Sequence, residues 1–384
     1  MQSVETYIKS CVRAGVFPGA SWVIGNSKGN GLGHCPDILE QGATGVLGQS
    51  TAGVLGQGLG PVQQDSLYDL ASLTKLFVTL ALMRQMEDGL IRLEDTVDYF
   101  LPAYKNNPKG GISLFQLLTH TSCLSGGTQL YRHAHTREDL LEAIRCSRPR
   151  SDSPGRVVYT CEAFILLGEI LPVIDGVGGM NCGLDPAQVI HRRVLEPLQM
   201  NDTCFNPPAS LLERIAPTED CPWRGKIVRG QVHDENAVVM GGVSGNAGLF
   251  STAVDMARFA AAVLASLEGR EEGFLHSITA EMMIHNHTAG KGENRGLGWM
   301  IAGPSRAAGD LMSPCSFGHT GFTGTSLWID PENHLYAVLL SNRIHPSRDN
   351  GGIFRTRQIF HNLAVLQYGG RSADEQQKRE HSND

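Results

Sequence analysis

Strand-forming segments stand at the two ends of this chain and helical patterns fill the middle, and that distribution constrains the fold more than any single motif. Near the N-terminus, Ala20-Ser-Trp-Val-Ile-Gly25 is a short apolar run that reads as a strand, with Asn26-Ser-Lys-Gly-Asn30 as its turn. Strand signals return only late. Gly324-Thr-Ser-Leu-Trp-Ile329, the turn Asp330-Pro-Glu-Asn333 and Leu335-Tyr-Ala-Val-Leu-Leu340 predict a hairpin. Between these ends, Arg137–Arg145, Cys161–Leu171, Pro186–Val194 and Ala253–Leu267 carry apolar residues at helical spacing, and a last helix is predicted from Phe354 to Gln367. A sheet built from both termini makes the middle an insertion. The expectation is one α/β (α+β) domain over 1–370, with an antiparallel sheet flanked by helices from about 1–85 and 290–370. A mainly helical second lobe would come from about 86–289, followed by a polar, disordered tail at 371–384.

The stretch Gly31–Gly60 is rich in Gly and Gln and echoes itself, Gly45-Val-Leu-Gly-Gln49 then Gly53-Val-Leu-Gly-Gln57. Two five-residue copies cannot build a solenoid, so this reads as an elaborated strand-and-loop region. Several function classes are excluded by composition. With 32 basic and 39 acidic residues and no basic run, a nucleic-acid or anionic-membrane partner is not expected. No apolar stretch approaches the roughly 20 residues that a membrane span needs. Nine cysteines, an odd number at irregular spacing, argue against a disulfide framework. The opening Met-Gln-Ser-Val-Glu lacks the basic start and apolar core of a signal peptide, which makes a cytoplasmic location the expectation.

Chemistry enters at Asp69-Leu-Ala-Ser-Leu-Thr-Lys75. Residues three apart share a helix face, so the Lys75 amine can reach the Ser72 hydroxyl. The pair also fits a capping serine and a surface lysine, but the chain has only eight lysines, and the apolar positions after it (Leu73, Leu76, Phe77, Leu80, Met83) keep helical spacing up to Gly89. A serine hydroxyl is a poor nucleophile until a neighbour removes its proton. A lysine does so once burial or nearby positive charge lowers its pKa, and a helix N-terminus supplies that charge. Ser72 on the first turn would also aim its own N–H at a developing oxyanion.

Such a site needs a proton shuttle and a strand edge for a second oxyanion donor. Ser153-Pro-Gly-Arg-Val-Val-Tyr-Thr-Cys161 supplies a tyrosine at the start of an apolar helix. Phe317-Gly-His-Thr-Gly-Phe-Thr-Gly324 supplies small residues leading into the hairpin, where backbone can approach a substrate closely.

With these segments in order, the chain resembles the serine hydrolases related to class C β-lactamases and penicillin-binding proteins. Those carry Ser-x-x-Lys, then Tyr-x-Asn, then Lys-Thr-Gly or His-x-Gly, matched here by Ser72-Leu-Thr-Lys75, Tyr159-Thr-Cys161 and His319-Thr-Gly321. Leu117-Leu-Thr-His-Thr-Ser122, Ser153-Pro-Gly155, Ala247-Gly-Leu-Phe-Ser-Thr252 and Gly296-Leu-Gly-Trp299 are similar too, and the likeness runs from about Pro18 to Leu366. The resemblance implies the β-lactamase/transpeptidase fold and a two-step acyl transfer without a cofactor. It implies Ser72 as nucleophile, Lys75 as proton acceptor and Tyr159 as proton shuttle. The N–H groups of Ser72 and Phe322 would form the oxyanion hole, and His319, Thr320, Gly321 and Cys161 would line the substrate site.

Two positions depart from the pattern. Cys161 replaces an asparagine, and a thiol is only a weak hydrogen-bond donor. His319 replaces the lysine that helps bind the β-lactam carboxylate, and imidazole is mostly neutral at pH 7. Both turn the expectation toward small esters or D-amino-acid-containing amides, with weak or absent β-lactam turnover. A β-lactamase or D,D-peptidase, and a non-catalytic ligand-binding relative, are the alternatives. His133-Ala-His135, His285-Asn-His287 and His34-Cys35 lack a third ligand at a recognised spacing, so no metal is expected. Asp234-Glu-Asn236 either lines the cleft or satisfies loop backbone.

Overall fold

The computed structural model describes residues 2–26, 36–49, 58–125, 129–149, 155–177, 183–271 and 273–369. The expected tail at 371–384, the turn after Asn26, the second Gly-Val-Leu-Gly-Gln copy, His34-Cys35 and the Ser153-Pro154 part of the Ser-Pro-Gly turn lie outside the described residues.

Seven strands form one antiparallel sheet. They are β1 (Gly19–Asn26), β2 (Asp37–Gln49), β3 (Gly58–Pro61), β4 (Met300–Ile301), β5 (Phe317–Thr320), β6 (Ser326–Asp330) and β7 (Leu335–Ser341). Their spatial order, β3-β2-β1-β7-β6-β5-β4, joins the two ends of the chain at the β1–β7 seam, where Trp22 faces Leu339 and Val23 faces Val338. The mixed antiparallel-sheet and helix architecture expected from the sequence is therefore present, and β6–β7 is the predicted hairpin.

Side chains alternate across a strand, and here both faces are covered. Ala20, Trp22 and Ile24 of β1 join Leu335, Ala337 and Leu339 of β7 in one core, and Val23, Tyr336, Val338 and Leu340 point into the other. That is why all seven residues of β7 are buried and why its sequence is nearly unbroken apolar. On the first face lie α1 (Val4–Arg13) and, at the far end of the chain, α8 (Ile353–Tyr368), which supplies Ile353, Phe360 and Leu363.

The second face meets the middle of the chain. Its helices include α2 (Thr74–Glu87), α3 (Arg137–Cys146), α4 (Cys161–Val177), α5 (Pro186–Ile190), α6 (Glu235–Val239) and α7 (Ala253–Leu267). The helix α7 packs on β1 and β7, so the sheet layer draws on the middle of the sequence as well as its ends. The helix α4 runs six residues past its predicted end, through Pro172, and α5 continues as a π turn over His191–Leu195. The helix α2 is buried almost all round, including Lys75, because it packs against α4, α5 with its π turn and the helix at Ser277–Ile284, and its Phe77 ring meets Phe259 of α7.

Candidate active site

Ser72 sits one step earlier than the sequence suggested. Residues Ala71–Leu73 form a 3-10 turn, and α2 starts only at Thr74. Ala71 has φ +47°, a left-handed conformation uncommon for a residue with a Cβ. The buried Asp69 carboxylate holds it, one oxygen accepting the Ala71 N–H at 2.8 Å and the other the His233 N–H at 2.6 Å. Burial pushes the Asp69 pKa up, and these two donated hydrogen bonds oppose it. Strain of this kind persists only where surrounding structure over-determines it.

Two side chains converge on the Ser72 hydroxyl. Lys75 Nζ donates to Ser72 Oγ at 3.0 Å, and Tyr159 Oη donates to the same oxygen at 2.8 Å. Lys75 Nζ also donates to the Asn246 carbonyl at 2.9 Å and lies 5.2 Å from the centre of the Tyr159 ring. The sequence reading expected the Lys75 pKa to fall. Burial does pull it down, but the negative charge of an ionised Tyr159, and then of Cys161, outweighs that, and the net direction is upward. Proximity to groups that can become anions decides the sign, and the linear sequence gave no measure of it.

Cys161 opens α4 beside this pair. Burial raises its pKa, opposed by the Lys75 charge, so the thiol stays protonated near neutral pH. Asn246 acts on both: its backbone carbonyl accepts from Lys75, and its side-chain amide works against the rise that burial gives the Cys161 pKa.

The turn after β5 faces the nucleophile segment. A Cβ at Gly321 would fall 2.6 Å from Leu70 O and 3.4 Å from Ala71 Cβ, so only glycine lets the two backbones come this close. Two buried hydroxyls tie the turn down: Thr323 Oγ1 donates to Asp69 O at 2.7 Å and Thr325 Oγ1 to Leu70 O at 3.0 Å. Phe322 therefore follows a residue in contact with the Ser72 segment. Its ring, 47% exposed, stacks 5.7 Å from His233 and carries the Arg343 guanidinium at 4.6 Å.

His319 is buried on β5, next to Thr320, whose carbonyl accepts from its Nδ1 at 2.9 Å. Burial first, then the charges of Arg295 and Lys75, hold its pKa well below 6.5, so it is neutral at physiological pH. His120 behaves the same way for the same reasons, and its ring lies 4.7 Å from that of Tyr159. The Arg295 guanidinium stands 5.4 Å over the Tyr159 ring while pairing with Glu293. Tyr159 is thus ringed by two cations and two neutral imidazoles.

Asp234 caps α6 by accepting the Ala237 N–H at 2.8 Å, and its charge also acts on Lys75 and Cys161. The segment satisfies backbone, with Asn236 Oδ1 also accepting the Tyr131 N–H at 3.0 Å. Among the described residues, Glu219, Cys221 and Glu235 are a group close enough to share a cation. Arg348 already lies 2.5 Å from Glu219 and 2.7 Å from Glu235, where a metal would compete with it.

The profile of the Beta-lactamase family matches residues 9–359, nearly the whole chain. The chain belongs to the β-lactamase family. A relative in Escherichia coli (strain K12), named "Putative D-alanyl-D-alanine carboxypeptidase", is 32% identical over 341 residues, covering 79% of this chain and 75% of its own length. A Salmonella enteritidis protein of the same name is 30% identical over 317 residues, covering 73% and 70%. Solved structures share the fold. EstCE1, described as a hydrolase with promiscuous acyltransferase activity, superposes with a TM-score of 0.71 at 19% identity over 94% of this chain and 97% of its own. The penicillin-binding protein homologue of Pyrococcus abyssi gives 0.70 at 21% identity, over 95% and 76%. Simvastatin synthase of Aspergillus terreus gives 0.72 at 21% identity, over 95% and 98%.

The β-lactamase family is one of serine hydrolases that work through an acyl-enzyme, and in this member Ser72, Lys75, Tyr159 and Cys161 meet at one point, with His319 nearby. Sequence reasoning missed Asp69, Asn246, Arg295 and any role for His120. Asp69 and His120 each stood inside a quoted motif, which was the available signal; Asn246 directly precedes another. Arg295 had none.

Proposed function

We propose that this protein is a serine hydrolase that forms an acyl-enzyme at Ser72, acting on small esters or D-amino-acid-containing amides. One observation carries the assignment: Ser72 Oγ is within hydrogen-bond reach of both Lys75 Nζ and Tyr159 Oη, two groups able to exchange its proton. Ser72 Oγ attacks the substrate carbonyl carbon while its proton passes to the Tyr159–Lys75 pair in the form that lacks one proton, phenolate with ammonium or phenol with neutral amine. The oxyanion is met by the N–H groups of Ser72 and Phe322. The pair then returns the proton to the leaving alcohol or amine, and the Ser72 ester remains. Water repeats the sequence, giving up a proton to the same pair and releasing the acid.

The substrate class rests on chemistry and kinship together. A neutral His319 offers no charge to a β-lactam carboxylate, and the Cys161 thiol cannot replace an amide. The relatives named as D-alanyl-D-alanine carboxypeptidases favour a peptide ending in D-amino acids among the amide substrates. The ordered site geometry favours a working enzyme over a ligand-binding relative, because a buried lysine aimed at a serine serves no packing need.

A panel of p-nitrophenyl esters, D-alanyl-D-alanine peptides and nitrocefin, run on wild type and Ser72→Ala, tests this. Ester or D-peptide turnover and fluorophosphonate labelling should both disappear in Ser72→Ala, with nitrocefin slow in wild type. No labelling of wild type would sink the assignment.

A further inference from the structure

Arg357 lies on α8, on the far side of the β5–β6 turn from Ser72, and belongs to no motif recognised in the sequence. It is 5% exposed, and among the described residues no carboxylate pairs with it. Its Nη2 donates instead to two backbone carbonyls, Gly321 O at 2.5 Å and Thr325 O at 2.7 Å. An uncompensated buried charge is costly, so a guanidinium committed to two carbonyls calls for a reason.

The covalent structure supplies one. The Gly321 carbonyl and the Phe322 N–H are the two ends of a single peptide unit. A carbonyl that accepts from a charged donor is more polarised, and the N–H of the same unit becomes a stronger donor. Thr325 O, the second acceptor, also receives the Gly321 N–H at 2.8 Å, so one guanidinium pins both legs of the turn. On the opposite side, the Thr323 and Thr325 hydroxyls fix the turn to Asp69 and Leu70. The Phe322 amide is clamped between them.

We propose that Arg357 is a positioning residue that strengthens the oxyanion hole by polarising the 321–322 peptide. This rests on the acyl-enzyme chemistry assigned to Ser72. Arg357 touches no reacting atom. Its effect should grow as charge develops on the substrate oxygen and be small for ground-state binding.

The test uses the full chain with Arg357→Met, which keeps bulk without donors, and Arg357→Lys, which keeps the charge with a different donor geometry. His361→Ala serves as a control, since His361 anchors the same helix through Ser326 Oγ at 2.8 Å without touching the 321–322 peptide. The readouts are p-nitrophenyl ester kinetics, inhibition by phenylboronic acid, and the isotope-edited infrared carbonyl stretch of the acyl-enzyme. In Arg357→Met, kcat should fall by about tenfold or more, less than for complete loss of an oxyanion donor. KM should change by less than about twofold, boronate inhibition should weaken in step with kcat, and the carbonyl stretch should move up. Arg357→Lys should fall between, and it carries the test if the Met variant does not fold. His361→Ala should lose stability but keep kcat. A folded Arg357→Met or Arg357→Lys with wild-type kcat and an unmoved carbonyl stretch would overturn the proposal. So would equal kcat losses in His361→Ala, which would make α8 a structural prop only. Both outcomes leave Ser72-dependent turnover by wild type intact, whereas its absence would reject the parent assignment and this proposal together.

Discussion

Tyr159 Oη lies 2.8 Å from Ser72 Oγ, bridging 87 residues of sequence. Lys75 reaches the same oxygen from three residues away, so the proton path joins one local partner and one that only folding delivers.

Removing the phenol should therefore damage chemistry and spare the fold. Tyr159→Phe keeps the ring against His120 and loses only the hydroxyl. Ester kcat/KM should drop by about 10²–10⁴, the usual worth of a proton-transfer group, with an unchanged melting temperature. A variant within threefold of wild type would remove Tyr159 from the proton path.

Restoring the amide at position 161 should widen the substrate range. The half-buried Cys161 borders the cleft, where an asparagine could hydrogen-bond Lys75 and substrate. A hydrogen bond to a charged group is worth about 1.5–3 kcal/mol, so Cys161→Asn should raise the nitrocefin acylation rate by about 10- to 100-fold. Stopped-flow absorbance measures it, and no gain would show that the thiol does not limit β-lactam reaction.

The turn carrying Phe322 depends on its two buried hydroxyls. Thr325→Val preserves shape but leaves Leu70 O without that donor. Chemical denaturation should show a loss of about 1–3 kcal/mol, and kcat should fall more than KM rises, because the oxyanion donor loses its fixed position. An unchanged kcat would mean that the turn is held by other contacts.

Acid sensitivity should come in part from His361. Burial, then the Arg357 charge, lowers its pKa to about 3, whereas the unfolded chain titrates near 6.5. Above 6.5 both states are neutral and nothing is lost. Between 6.5 and about 3 the unfolded state binds a proton that the folded state refuses, so stability falls with pH, by up to about 1.4 kcal/mol per unit. His361→Gln keeps a partner for Ser326 and removes that titration. Its unfolding free energy, measured at pH 7.5 and 5.5, should decline by about 1 kcal/mol less than that of wild type. Parallel declines would exclude His361 as a source.

The strands at 20–25 and 324–340 and the helix at 253–267 were readable because apolar spacing is a local property. The Ser72–Lys75 contact was readable for the same reason, since three residues of helical backbone set it. The 3-10 turn at Ala71–Leu73 was not, because a contact 164 residues away, His233 to Asp69, helps to hold the left-handed Ala71.

By itself, then, the sequence determined which residues could do chemistry and that the sheet joins the chain's two ends. The tertiary structure alone decided the direction of the Lys75 pKa, the burial that holds the His319 pKa well below 6.5 and the two carbonyls given to Arg357. Charge states and long-range hydrogen bonds depend on distance and burial in three dimensions. Residue order specifies those only through the completed fold.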